Sequence, residues 1–209
     1  MPAGFLDDAA RNAFRDAIRT IEGGSSAEAV VAVRRQSASW AHAHVATGAV
    51  AGVAALAYML YSEHPFSIAA TLVDPVVVGG LIGLLSTQVL ALKRWLTPRK
   101  ARRAAVRTAA RAAFYERGVR RTRARTGLLL YVSIVERMAE VVIDDGVDDA
   151  TPAVEWARAV DEIDRAVARG GAATARAFAA LAPALAAALP VGDDDINELP
   201  DDIHEEEPA

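Results

Sequence analysis

The arginines of this chain are the residues whose number and spacing most clearly indicate a chemical role. Between residues 93 and 125 there are thirteen Lys and Arg against one acid, Glu116. Guanidinium groups bind phosphate and carboxylate groups through paired hydrogen bonds. The predicted chemistry is therefore the binding of an anion. Six arginines surround the apolar run of residues 128–132, namely Arg117, Arg120, Arg121, Arg123, Arg125 and Arg137.

Three kinds of anion could face this positive charge. Anionic lipid headgroups are favoured, because the block directly follows a long apolar run and each such contact near a membrane contributes about 1 kcal/mol. Acids of residues 193–195, or those of a partner protein, are the alternative for residues 120–125. Nucleic acid is not expected, because the chain has no aromatic platform or recognisable nucleic-acid-binding module. The candidate lipid- or partner-binding residues are Lys93, Arg94, Arg99, Lys100, Arg102, Arg103, Arg120, Arg121, Arg123 and Arg125.

Residues typical of catalysis do not form a complete set. The chain has no cysteine, which excludes disulfides and thiolate chemistry. Its histidines are scattered, and no HExxH, P-loop or GxSxG motif occurs. An enzyme is therefore the less favoured class. The four histidines are His42, His44, His64 and His204.

Two long apolar runs predict a membrane-spanning helical hairpin. Residues 45–61 carry no charge, and residues 66–92 carry only Asp74. A spanning helix needs about 20 mostly apolar residues, and the first run reaches that length when counted from Trp40. Only residues 62–65 separate the runs, which is enough for a tight turn. We therefore expect two antiparallel spans.

The charges around the hairpin predict its orientation. Arg34 and Arg35 precede the first run, and the cluster from Lys93 to Arg103 follows the second. Lys and Arg are retained on the cytoplasmic side, so both termini are expected in the cytoplasm of a two-pass inner-membrane protein. The N-terminus has no signal-peptide pattern. Trp40 and Trp95 are expected at the cytoplasmic interface.

Small residues and one acid distinguish the predicted spans. Gly48 with Gly52, and Gly79 with Gly83, form GxxxG pairs that let helix backbones approach closely. We favour packing within the hairpin over a dimer face. Asp74 is a candidate functional residue by its depth. Because neither span offers Asp74 a charged partner, we prefer a structural explanation to a functional one. Its carboxyl is either protonated or lies near the outer interface, where it caps a helix break at Pro75.

The remaining chain predicts an α/β fold. An amphipathic helix over residues 5–21 and a strand over residues 27–33 come before the hairpin. After the hairpin, the pattern predicts a helix from Thr97 to residue 117 and two strands joined near residues 136–137. Two further helices follow, the second over residues 172–189. The fold class is an α/β sandwich, a small sheet flanked by helices, with an inserted two-helix transmembrane hairpin.

This pattern divides the chain into four parts. Residues 1–38 and 97–190 form the two halves of the α/β domain, residues 39–96 the hairpin, and residues 191–209 an acidic tail with nine acids from residue 193 onwards and no Lys or Arg. So charged a tail is expected to be mobile unless it docks. Residues 197–200 are the candidate docked part, with Leu199 packing either on this domain or on a partner.

Several segments carry a family resemblance. The block "ARAAFYERGVRRTRARTGLLLYVSIVERMAEVVIDDGVDD", residues 110–149, resembles the second half of a TPM domain. Residues 9–33 are similar to the opening helix and first strand of that domain. The tail "DDDINELPDDI", residues 193–203, resembles the ending of a bacterial branch of membrane proteins with TPM domains.

The resemblance implies a central sheet flanked by helices, and membrane association. In some members it also implies divalent-metal binding or weak phosphatase activity, and in others assistance to membrane complexes. The acids matching a metal site are Asp144 and Asp145, with Asp148 and Asp149 nearby. The loop of residues 120–125 is acidic in many members and cationic here, and cations at that edge would repel a metal ion.

Two functions are weighed on these grounds. The leading prediction is a membrane-anchored interaction protein that assists or scaffolds a membrane complex at the cytoplasmic face. It needs no cofactor. The alternative is a divalent-metal-dependent, phosphatase-like hydrolase in which Asp144 and Asp145 hold the cation that activates water. A solvated strand end and turn is the simpler explanation of these acids.

Overall fold

The computed structural model describes residues 4–39, 41–87, 97–192, 198–199 and 203–206. The chain forms two compact units. The α/β unit comprises Met1–Ala38 and Arg103–Ala209, and the hairpin unit comprises Ser39–Arg102. Each unit has its own packing.

The α/β unit contains helices and strands in the order that the sequence predicts, with additions. Helix α1 (Asp8–Glu22) and strand β1 (Glu28–Arg34) precede the hairpin. After it come α4 (Arg99–Glu116), a 3-10 turn (Val119–Arg121), β2 (Gly127–Ser133), β3 (Met138–Ile143), α5 (Asp145–Ala150), α6 (Ala153–Ala166), a second 3-10 turn (Val167–Arg169), α7 (Gly171–Ala179), α8 (Ala182–Ala188) and β4 (Ile203–Glu206).

Within the described ranges, four strands form one sheet in the order β3-β2-β1-β4. Strand β1 runs parallel to β2, with Glu28 opposite Gly127, and parallel to β4, with Val31 opposite Ile203. Strands β2 and β3 are antiparallel, as their tight connection requires. Arg137, in that connection, has a positive φ of 53°.

Helices cover both faces of the sheet. Alternate residues of β1 and β2, such as Val31 and Leu130, pack with α1, α6, α7 and α8 in the larger apolar cluster. Intervening residues such as Leu129 and Tyr131 pack with α4. Because side chains alternate across a strand, an apolar run such as β2 is buried along its whole length. The predicted α/β sheet flanked by helices is confirmed.

A buried carboxylate ties the β2–β3 connection to the end of β1. The side chain of Glu136 is 1% exposed and accepts hydrogen bonds from the Ser133 hydroxyl and, at 3.3 Å, from the Ser37 backbone N–H. The Ser37 hydroxyl donates to Ser133 Oγ at 2.7 Å. The chain leaving β1 is thereby held against β2 before the hairpin begins.

Two features of the C-terminal half differ from the sequence prediction. One helix was expected over residues 172–189, but α7 ends at Ala179 and α8 begins at Ala182. Pro183 explains the break, because proline has no N–H for the carbonyl four residues earlier and its ring clashes there. The acids after β3 begin a short helix, α5, instead of a solvated turn.

The tail adds an edge strand. Residues 203–206 of the tail pair with β1, and Arg11 of α1 forms a 2.6 Å ion pair with Glu205. Upstream, the backbone N–H groups of Glu198 and Leu199 donate to the Glu28 carboxylate at 3.1 and 3.2 Å. Leu199 packs against the apolar cluster under α4, as expected of the docked part. Residues 198–199 and 203–206 of the tail are thus bound to the sheet.

The hairpin unit consists of α2 (Ala41–Tyr61) and α3 (Ile68–Ser86). Glycines form the contact between them, since a Cβ at Gly48 would lie 2.6 Å from the carbonyl oxygen of Gly79, and a Cβ at Gly52 would lie 2.8 Å from that of Pro75. His44 Nδ1 lies 2.8 Å from the Ser86 hydroxyl. The glycine pairs therefore pack within the hairpin.

Three helical stretches of the described residues are long and apolar enough to cross a membrane: Ala41–Tyr61, Ile68–Ser86 and Gly171–Ala188. They differ in what surrounds them. Large apolar side chains of α2 and α3 are exposed, among them Val45 at 71% and Leu72 at 70%. The third stretch covers α7 and α8, and its Phe178 and Leu185 are completely buried in the larger cluster.

Candidate functional site

The arginine-rich loop, residues 117–126, is a tight connection between α4 and β2. Gly118 ends α4 in the left-handed conformation, with φ of 68°. A Cβ at Gly127 would lie 2.1 Å from the carbonyl oxygen of Val119, so the start of β2 requires glycine. The Thr122 hydroxyl accepts a 3.0 Å hydrogen bond from the Thr126 backbone N–H. The loop therefore holds its arginines on a defined backbone.

Arg125 joins this loop to the acids that follow β3. Its guanidinium lies 3.1 Å from Asp144 Oδ1 and 2.7 Å from Asp145 Oδ2. The Gly146 backbone N–H donates to the Arg125 carbonyl at 3.0 Å. A Cβ at Gly146 would lie 2.5 Å from the Ala124 carbonyl oxygen, so glycine allows this close approach.

Asp144 lies at the centre of this junction. It is 5% exposed and caps α5, and its Oδ1 accepts from the Asp145 backbone N–H at 2.9 Å. Its other oxygen, Oδ2, is buried and has no hydrogen-bond partner among the residues that the structure describes. An unsatisfied buried acceptor is uncommon in a folded protein and calls for an explanation.

A cavity of about 290 Å³ lies beside Asp144. Three guanidinium groups line it, from α4 and from the arginine-rich loop, and the end of β3 forms the opposite wall. Arg120 stacks over the ring of Tyr115, with Cζ 5.2 Å from the ring centroid. The lining residues are Arg111, Phe114, Tyr115, Arg120, Arg125, Val142, Ile143, Asp144 and Asp145. This cavity, the arginine pocket, is the candidate functional site.

The four acids predicted as metal ligands do not converge. Asp144 and Asp145 both pair with Arg125, while Asp148 and Asp149 are exposed on α5. Over the described ranges, no group of three or more His, Asp or Glu side chains could hold a metal ion. These residues do not fit a divalent cation, because a guanidinium occupies the space between the two best-placed carboxylates. The metal site stays a prediction that this geometry does not favour.

The predicted cationic residues have different environments. Arg99 and Lys100 are exposed, and Arg102 is half-buried. Arg103 serves the fold, because its guanidinium pairs with Asp164 and donates to the Ala139 carbonyl at 2.9 Å. Lys93 and Arg94, with Trp40, Trp95 and the acids 193–195, lie outside the described residues.

Within the loop, the predicted arginines also separate. Arg120 and Arg125 line the arginine pocket. Arg121 places its side chain next to Gly118, and Arg123 donates its backbone N–H to Glu198 of the tail at 3.1 Å. The structure thus brings two of the four loop arginines together with the acids Asp144 and Asp145.

Sequence reasoning did not single out Arg111 or Tyr115. Arg111 is one of the thirteen Lys and Arg between residues 93 and 125, and no motif includes Tyr115. Their spacing of four residues places both on one helix face, and this was the available signal. It became informative only when β3 and the loop were known to lie against the same face.

Comparison with known proteins identifies a fold and no family. No protein-family model and no curated protein matches the chain. Among solved structures, the chain is similar to the NMR structure of the BA42 protein from the psychrophilic bacterium Bizionia argentinensis. The two share 18% identity and a TM-score of 0.59 over 99% of each chain. At this identity the likeness supports the α/β fold alone.

Proposed function

We propose that this chain is a TPM-like α/β domain anchored in the inner membrane by a two-helix hairpin, and that it assists or scaffolds a membrane complex at the cytoplasmic face. The observation that carries the proposal is the exposure of large apolar side chains along both α2 and α3. Such a surface is stabilised in hydrocarbon, where a helix satisfies its own backbone hydrogen bonds. A soluble helical hairpin would bury one face and present charge on the other.

The orientation follows from charge. Arg34 and Arg35 precede α2, and Lys93, Arg94, Arg99 and Lys100 follow α3. Because cationic flanks stay in the cytoplasm, the turn at residues 62–67 faces the periplasm and the α/β unit the cytoplasm. Exposed Arg99 and Lys100 would then contact anionic lipid headgroups.

The preference for an interaction protein over a hydrolase rests on the position of Arg125. A metal-dependent hydrolase needs a cation to activate water, but Arg125 already pairs with Asp144 and Asp145. We therefore do not propose hydrolysis for this site. The α/β unit instead offers a folded surface held at the membrane, suited to binding another membrane protein.

Topology can be tested directly because the chain has no cysteine. Exposed Glu63 and Glu155 are replaced singly by cysteine, and intact cells are treated with a membrane-impermeant maleimide. Glu63→Cys should be labelled from outside, and Glu155→Cys only after lysis. Labelling of Glu155→Cys in intact cells, or release of the chain from membranes by alkaline carbonate, would refute the proposed anchoring.

The interaction itself is tested by native electrophoresis of membranes extracted in mild detergent. We expect the chain to migrate well above its own 22.0 kDa together with a second membrane protein. Migration as a free monomer at native expression levels would contradict a scaffolding role while leaving the topology intact.

A further inference from the structure

The tail lies on the sheet in the way that an extended segment of another chain would. Strand β4 is the outermost strand of the described sheet, and it runs parallel to β1 from Ile203, opposite Val31, to Glu206, opposite Arg34. It is also the last element of the described chain. Its release from β1 would therefore not require any segment to be threaded past another.

The edge of β1 recognises main chain. Strand β1 is buried on both faces, so its outward N–H and C=O groups need partners along this edge. At the start of the strand the carboxylate of Glu28, 7% exposed, accepts from the backbone N–H groups of Glu198 and Leu199 through its two separate oxygens. Contacts of this kind hold an extended segment whatever its side chains are.

The side chains on either side of the edge supply selectivity. Leu199 packs on the apolar cluster under α4, and Ile203 packs on the larger cluster that includes α1. Glu205 lies on the same face of β4 as Ile203 and pairs with Arg11 of α1 at 2.6 Å. The edge thus selects a segment with two apolar residues four positions apart and an acid two positions after the second.

We infer that the edge of β1 is a docking site for an extended acidic segment of a partner protein, and that the tail occupies this site until such a segment replaces it. Adding a strand to a sheet edge is a recurrent mode of peptide recognition. The positive charge of Arg11 favours an acidic segment over a basic one. While no partner is bound, the tail covers an edge that would otherwise pair with other chains.

The tail is held by contacts that a competitor can replace. Its ladder with β1 covers the four residues Ile203–Glu206. The side chains of Arg11 and Glu205 are 34% and 41% exposed, and an ion pair so accessible to water contributes little stability. A partner segment with the same pattern would form the same hydrogen bonds and gain further ones by extending beyond the tail.

This inference names a surface for the proposed interaction role, and it rests on that role only for the existence of a partner. The edge is tested with a synthetic peptide and the purified full chain in detergent. The assembly of a complex in membranes is tested separately by native electrophoresis. The failure of one is therefore distinguishable from the failure of the other.

The test measures the fluorescence anisotropy of a labelled peptide with the sequence of residues 196–209, "INELPDDIHEEEPA". The parent chain is compared with a chain carrying Leu199→Ser and Ile203→Ser, which weakens its own tail and leaves the edge of β1 unchanged. We expect this variant to bind the peptide at least about tenfold more tightly than the parent chain, in which the tail competes at an effective concentration of the order of millimolar.

Charge exchange links the binding to the edge. In the tail variant, Arg11→Glu should weaken binding of the parent peptide severalfold, and a peptide carrying Glu205→Lys should restore it. Arg15→Glu is the matched control one turn later on α1. It should have a smaller effect, because the Arg15 guanidinium contacts Asn12 at 3.5 Å instead of the tail.

A reversible lock tests replacement in a chain with an intact apolar pattern. Because the chain has no cysteine, Arg34→Cys with Glu206→Cys places one pair of thiols at opposite positions of the ladder. Neighbouring strands lie about 4.7–4.9 Å apart, within the range of a disulfide. Oxidation should abolish peptide binding, and reduction should restore it to the level of the parent chain.

Four results would overturn the inference. Equal binding by the parent chain and the tail variant would show that the tail does not compete, and binding by the oxidised chain would place the peptide elsewhere. Unfolding of the tail variant would make β4 a permanent part of the fold. Disulfide-linked dimers in a mixture of Arg34→Cys and Glu206→Cys chains would assign the edge to the tail of a second copy.

Discussion

Strand β2 and helix α3 have similarly apolar sequences but opposite surroundings. Every residue of β2 is buried between helices of its own chain, whereas α3 exposes Leu72, Val76 and Leu84. Apolar area must leave water in both cases. The difference teaches that the α/β unit supplies its own core, whereas α2 and α3 leave large apolar side chains exposed, which is the observation behind the proposed membrane anchoring.

The prediction with the largest expected effect on stability compares two variants, each with one leucine replaced by alanine. Leu130→Ala in β2 should lower the free energy of unfolding by about 2–5 kcal/mol, because it leaves a cavity in a closed core. Leu84→Ala removes the same atoms from a side chain that is 67% exposed and should change stability in detergent little. Denaturant unfolding checks both. Equal losses would show that Leu84 is packed against protein.

A second test concerns the backbone contact of the hairpin. A Cβ at Gly79 would lie 2.7 Å from the Gly48 carbonyl oxygen, whereas one at neighbouring Gly80 would meet nothing within 4 Å. Gly79→Leu should therefore separate α2 from α3 and cost about 1–3 kcal/mol or more through overpacking. Gly80→Leu is the matched control and should be tolerated.

The measurement for the glycine variants is disulfide cross-linking between cysteines placed on α2 and α3 in detergent. Efficient cross-linking in Gly80→Leu with loss of it in Gly79→Leu supports intramolecular glycine packing. If Gly79→Leu cross-links as well as the parent chain, the observed hairpin contact is not required for the pairing of the helices.

A third test asks how far polar contacts stabilise the α/β unit. Asp164 Oδ1 accepts from the Ala139 backbone N–H at 2.8 Å, and the same carboxylate pairs with Arg103. Asp164→Ala should cost about 1–3 kcal/mol, because it leaves a buried β3 N–H unsatisfied. Asp161→Ala removes an exposed acid 3.8 Å from Arg165 and should cost roughly 0–1 kcal/mol in thermal unfolding.

The smallest expected effect concerns an exposed carboxylate on α6. A hydrogen bond from Arg169 at 2.6 Å, aided by the charges of Arg169 and Arg165, holds the pKa of Glu162 below its ordinary value. A lowered folded-state pKa means that the associated stability is present above the unfolded pKa and is lost as pH falls through the folded one. In Arg169→Gln, NMR titration should place the pKa of Glu162 higher; an unchanged value would rule out this cause.

Local patterns predicted most of the elements because their causes lie within one stretch of chain. Helix α1 shows apolar positions at helical spacing and begins at Asp7, whose side chain accepts from the Ala10 N–H at 2.7 Å. The apolar run of β2 predicts burial on both faces. The break between α7 and α8 was missed, although Pro183 was visible, because the Ala-rich periodicity on either side outweighed it.

The candidate site was only partly predictable. The number of arginines predicted an anion-binding site, whereas the acids Asp144 and Asp145 suggested a metal site. In the structure Arg125 pairs with both acids, although it lies nineteen residues from Asp144 along the chain. Arg111 and Tyr115 joined the site through the packing of α4 on the sheet. Pairings across such separations depend on how elements pack, and a single sequence carries no record of that.

By itself the sequence determined the apolar hairpin, the buried strands and the positive charge of the loop, since length, period and composition are local properties. Only the tertiary structure decided that residues 203–206 of the tail pair with β1 and that Arg125 pairs with Asp144 and Asp145. The four residues 203–206, "IHEE", show no strand pattern of their own. They form a strand because the edge of β1 offers hydrogen bonds that the isolated tail cannot make.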